Sequence, residues 1–183
     1  MSAPHLRRPD DAELRREWGT VGENTVRLAP EAAAAVIDDL NRCLSGLYIL
    51  FNQVRKHYWT ASGAESQQIE QRLTEQADRL SDLTDDLALR VHALGGVPVN
   101  GPMGIREHAP MRIEAGDVYT LRDSLEGDID GYATLAVTFR EAIETAGAVR
   151  DERTVETLSS GLLAIEQDAH TLERYLGDDG LTD

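Results

Sequence analysis

The chain has one cysteine, one lysine, few aromatic residues and no long apolar run, and each shortage excludes something. Cys43 has no partner for an intrachain disulfide, which excludes a disulfide-stapled secreted scaffold; set in an apolar stripe, the lone thiol reads as a core filler in a reducing compartment. No run of about 18 apolar residues is present to span a bilayer, and Met1 to Thr20 carries Arg7, Arg8, Arg15 and Arg16 without the apolar centre of a secretion signal. The expectation is a soluble, cytoplasmic protein with no membrane partner. Bases are scarce as well: 33 acids against 18 bases leave a formal net charge of -15. Phosphate recognition needs Lys and Arg to release counterions, so DNA binding is unlikely on this surface. Lys56 is the only lysine. An acidic, lysine-poor chain is what a salt-rich cytoplasm tolerates, because salt near 1 M screens charges beyond about 3 Å, and the composition fits a halophilic setting, with an ordinary acidic mesophilic protein as the alternative.

What is present is helical period. The 183 residues suit one domain. Residues 1–29 are polar and mixed in charge, with Pro4 and Pro9, and read as a flexible tail or an arm that orders only on assembly. From Pro30, apolar residues recur at Ala33, Val36, Ile37, Leu40, Cys43, Leu44, Leu47, Tyr48, Phe51, Val54 and Tyr58, the 3,4 spacing of one helical face. After a break at Thr60 to Gly63, a second stripe runs from Ile69 to Leu94 and meets Gly95-Gly96 with Pro98 beyond. The stretch 97–115, rich in Pro and Gly, predicts a crossover loop with room for a short helix.

A third helix is expected from about Asp117 to Ala146, with Gly127 and Gly131 permitting close packing. A fourth follows on Val155, Leu158, Leu162, Ile165, Ala169, Leu172 and Leu176 to Gly177. No strand-like alternation is present. The fold class is therefore all-α: an arm over 1–29, a four-helix bundle over 30–177 with a long second crossover, and an acidic tail over 178–183.

Several fragments then stand in a specific order. Trp59 has Gly63 four residues on, the second helix is acidic, and it closes on Ala93-Leu94-Gly95-Gly96-Val97-Pro98. Asp117-Val118-Tyr119, Asp123-Ser124-Leu125, Glu166-Gln167-Asp168-Ala169-His170 and Glu173-Arg174-Tyr175-Leu176 follow. Together, over roughly 30–177, they resemble the Dps-type miniferritins of the ferritin-like superfamily, especially those of halophilic archaea. The resemblance implies a hollow homo-oligomer, a dodecamer. It also implies Fe(II) oxidation at a dinuclear centre shared by two subunits, storage of the ferric mineral inside, and protection from oxidative stress.

In that family the centre takes a His before the Trp, a His twelve residues on, and an Asp four further. The partner subunit adds an Asp and a Glu four apart on the second helix. Those positions hold Tyr58, Glu70, Thr74, Asp85 and Leu89 here. Asp85 matches by identity and Glu70 offers an oxygen donor in place of an imidazole. Leu89 binds no metal, and a protonated Tyr58 is a poor Fe(II) ligand, so ferroxidase activity is expected to be weak or lost. His57 does not repair the centre, being rotated by about 100° from Tyr58 around the helix. Asp78 and Asp82 share the acidic face with Glu70 and Asp85, and hard cations prefer such oxygen donors. The candidate metal residues are thus Glu70, Asp78, Asp82 and Asp85, for iron. The second arrangement, paired Glu-x-x-His motifs inside one bundle, is absent: Gln167 stands in the Glu place before His170. Against the iron shell stands a noncatalytic ferritin-like assembly or binding protein that co-assembles with an active paralogue.

Overall fold

A computed structural model describes residues 13–177. The first part of the expected arm, residues 1–12, and the acidic tail, residues 178–183, lie outside the described residues. Among the described residues five helices follow one another: α1 (Pro30–Thr60), α2 (Ser66–Ala93), α3 (Pro102–His108), α4 (Leu121–Ala148) and α5 (Glu152–Gly177). The four long ones form the bundle. α1 packs along both α2 and α4, α4 packs along α5, and α3 lies against α1 on the crossover. No described helix is long and apolar enough to cross a membrane.

α1 starts where Pro30 needs no N–H partner. Its inward stripe, Leu40, Leu44, Leu47 and Leu50, is fully buried with Leu73, Leu87, Tyr132, Leu135, Phe139 and Leu172 from the other long helices. Each such leucine contributes about 1.5–3 kcal/mol through burial. Cys43 is in the same core and buried, and desolvation drives its thiol pKa far up, so it is an inert filler as expected.

The ends of the helices have identifiable causes. α2 closes in a Schellman turn: Gly95 N–H donates to His92 O at 3.0 Å and Gly96 N–H to Val91 O at 2.9 Å, with Gly95 at φ +89°. α4 closes the same way, with Arg150 in the left-handed region and Asp151 N–H donating to Ala146 O at 2.9 Å. Asp151 then opens α5, its carboxylate accepting from Thr154 N–H at 3.1 Å and from Arg90 at 2.5 Å. Arg90 and Thr154 hold the Asp151 carboxyl below its ordinary pKa against the opposing effect of burial.

Two boundaries differ from expectation. α4 begins at Leu121 rather than Asp117, because the Thr120 side chain accepts from Asp123 N–H at 3.1 Å and caps the helix there. Residues 13–29 already contact their own subunit, although a flexible tail or an arm ordering only on assembly was expected. Gly22 N–H donates to Gly95 O at 2.9 Å, Val21 and Leu28 pack on the core, and Trp18 stands edge-on to His108. The carbonyl of Gly22 runs so close to Gly95 that a Cβ there would sit 2.4 Å from it.

Candidate functional site

The four candidate carboxylates lie on one exposed face of α2. Glu70, Asp78, Asp82 and Asp85 are all solvent-facing, within an arc of about 120° at 100° per residue. They are strung along the axis: Glu70 and Asp85 are fifteen residues apart, about 22 Å at 1.5 Å rise. One ion cannot bridge Glu70 and Asp85 of the same copy. Among the described residues of the subunit, no three His, Cys, Asp or Glu side chains come together as a metal site. Donors for a shared centre would have to come from a second copy facing this stripe.

The other mapped positions are on the same faces. Thr74 turns its hydroxyl back to donate to Glu70 O at 2.7 Å, and Leu89 stands 68% exposed among the acids. Tyr58 is half-buried against the core and meets Trp59 edge-on at 5.7 Å. A Trp at a helix end commonly serves as a packing anchor. Trp59 is instead 61% exposed, with the Arg55 guanidinium 4.7 Å from its ring centre and 5.1 Å from that of Phe51. Among the described residues this cluster leaves the Trp59 ring facing solvent.

The middle of the bundle holds no Glu-x-x-His pair. Tyr132, fully buried, donates to Gln76 Oε1 at 3.3 Å, and Gln76 Nε2 donates to the backbone carbonyl of Asp168 at 3.2 Å. The Asp168 carboxylate is engaged by the Arg79 guanidinium, and burial still leaves its pKa above the usual range. Polar capacity there is satisfied internally. His170 lies exposed beside Glu173 at 3.4 Å, in keeping with a surface hydrogen-bonding role.

A buried ionic cluster sits where α1, α4 and the end of the crossover meet. His57, 2% exposed, has Nδ1 2.9 Å from Asp128 Oδ2 and Nε2 3.1 Å from both oxygens of Glu114. Gln53 Nε2 donates to Asp128 Oδ1 at 3.0 Å, and Lys56 Nζ donates to Glu114 Oε2 at 2.5 Å and to Ala115 O at 3.0 Å. Burial pulls the His57 pKa down, but Asp128 and then Glu114 outweigh it and hold it above its ordinary value. Burial likewise raises the Asp128 pKa against the His57 and Gln53 bonds. The two carboxylates lie on opposite edges of the ring, so they do not converge on one metal position.

This cluster went unread in the sequence, although a signal was there. Asp128 falls in register with Leu121, Leu125, Tyr132, Leu135 and Phe139, and His57 with Leu47, Leu50 and Val54. Charged residues at buried helix positions require partners, and here they partner each other.

Comparison with known proteins agrees with the geometry. The ferritin-like domain family matches residues 37–181. A DNA protection during starvation protein of Halobacterium salinarum is 38% identical over 160 residues, covering 87% of this chain and 88% of that one. A nutrient stress-induced DNA-binding protein of a Synechococcus species is 27% identical, covering 92% and 96%. An archaeal Dps homologue from Halobacterium salinarum superposes with TM-score 0.89 at 36% identity, over 94% of this chain and 97% of that one. DpsC of Streptomyces coelicolor superposes with TM-score 0.89 at 25% identity, over 93% and 100%. The architecture is that of the ferritin-like bundles. Within them, the chain belongs to the Dps-type miniferritins.

Proposed function

We propose that the protein assembles into a homo-oligomeric, dodecameric shell in the cytoplasm that binds and stores iron and thereby limits oxidative damage. The observation that carries this reading is the row of exposed carboxylates on α2, Glu70, Asp78, Asp82 and Asp85, on a scaffold shared almost end to end with a protein named for protection during starvation. Iron is cargo and substrate here. Carboxylate oxygens suit both Fe(II) and the hard Fe(III) it becomes. In a two-fold pairing, Glu70 of one copy would face Asp85 of the next, giving each iron fewer donors than a full dinuclear centre. Oxidation is accordingly weak, and the acidic face serves mainly to hold ferric ions.

A second reading, a noncatalytic assembly partner of an active paralogue, has its own observation. Leu89 is 68% exposed and Thr74 is bonded to its own helix, so two ligand positions offer iron nothing. Aerobic Fe(II) oxidation by the intact assembly, beside a Glu70→Ala/Asp85→Ala double variant, separates the two. A rate above that of buffer that falls in the double variant supports a remodelled iron site. A wild-type rate equal to buffer supports the noncatalytic shell.

A further inference from the structure

We propose that the His57, Glu114 and Asp128 cluster is a pH-operated latch that fastens the end of the crossover to the bundle while His57 carries two protons and releases it when one is lost. Both ring nitrogens face carboxylates, which accept and do not donate when ionised, so only an imidazolium satisfies both contacts. The charged groups that face it come from each element packed around it: Asp128 from α4, Glu114 from the crossover, and Lys56 from α1, which shares Glu114. Gln53, also from α1, supplies the neutral amide bonded to Asp128. In the imidazolium state two cations meet two anions and each ring N–H has a carboxylate acceptor.

Loss of one proton leaves a ring with one N–H and one lone pair, and one carboxylate must give up its contact. Asp128 is fully buried and held by Gln53, so it keeps the Nδ1–H. Glu114 has a fifth of its side chain in solvent and rides on a connection rather than a helix, so it is the one to leave. Lys56 can travel with it, its ammonium nitrogen lying 4.7 Å from the centre of the Tyr119 ring on a flexible four-carbon stem. Next to the cluster a groove of about 450 Å³ runs between residues 110–114 and α1 and α4, floored by Gly127 and Gly131. Its crossover wall carries Glu114, so release widens this groove. The direction of the effect agrees with the raised His57 pKa: latched below it, loosened as pH rises through it.

The test is a nitroxide on Arg112→Cys in the assembled full-length protein, where Cys43 is buried and out of reach of the label. Its mobility is followed by electron paramagnetic resonance from pH 6 to pH 10, with reference labels on α4. A single-proton rise in mobility with rising pH that vanishes in His57→Gln establishes the latch. No transition, or one that survives in His57→Gln, overturns it. If His57→Gln does not assemble, Glu114→Gln decides: the amide can accept from the ring or donate to it, so the contact survives in both protonation states and the transition is lost, and a transition unchanged from wild type overturns the proposal.

Discussion

With a carboxylate on each ring nitrogen, His57 is held protonated in the folded subunit to a higher pH than in the unfolded chain. A group whose folded pKa is raised contributes stability that is fully present below its unfolded value, about 6.5, and lost as pH rises through the folded value. The difference in denaturation midpoint between wild type and His57→Gln is therefore largest near pH 6 and shrinks toward pH 9, measured by urea titration at fixed protein concentration. A difference that grows with pH contradicts the assignment. Leu89 gives a second expectation, on the exposed face of α2. Leu89→Glu places a carboxylate four residues from Asp85, raises the initial rate of Fe(II) oxidation severalfold, and changes stability by no more than about 0.5 kcal/mol. The sequence allowed Glu70 and Asp85 to be named, because motif spacing locates them. It did not reveal Glu114 as a partner of His57, since no helical period tells where a residue of the crossover comes to rest.

The long helices were legible because burial of one face against neighbouring helices imposes a 3.6-residue period, and each stripe ended near a Gly or Pro that marks the stop. Less legible were features decided by a single hydrogen bond or by contacts distant in sequence. The Thr120 cap removes Asp117 to Tyr119 from α4, and the arm's attachment depends on Gly22 reaching Gly95, contacts that no local pattern announces. The two glycines of α4 also divide. A Cβ on Gly131 would come within 2.7 Å of Leu50 Cδ1, so Gly131 is required for the close approach of α1 and α4. A Cβ on Gly127 would find its nearest neighbour at 3.7 Å, which is ordinary contact. Gly131→Ala is expected to destabilise by about 1–3 kcal/mol through overpacking. Gly127→Ala is expected to stabilise by about 0.5–1 kcal/mol through helix propensity. Thermal or chemical denaturation of the two variants reads both signs, and equal effects would contradict the packing account.

A chain of net charge -15 repels polyphosphates, and it also repels its own copies unless salt screens them or cations gather on its carboxylates. The first consequence is testable on DNA: although two relatives are named for DNA, this protein is expected to run free of duplex DNA at low ionic strength, where phosphate contacts are strongest. A retained complex that strengthens as salt falls would reverse that expectation. The second bears on the shell. The proposed closed assembly of twelve 20.1 kDa chains would give a particle of about 240 kDa. Pairing across the exposed faces of α1 and α2 would bury the Trp59 ring and bring the α2 carboxylates of two copies together. The most direct measurement is the iron that travels with that particle: load the assembly with Fe(II) in air, pass it through a sizing column, and assay iron and protein across the peak. Many ferric ions per shell coeluting with the protein, and far fewer with Glu70→Ala/Asp85→Ala, is the predicted result. A wild-type shell that elutes with no more iron than the double variant would contradict the assignment of the α2 carboxylates as its iron-holding face.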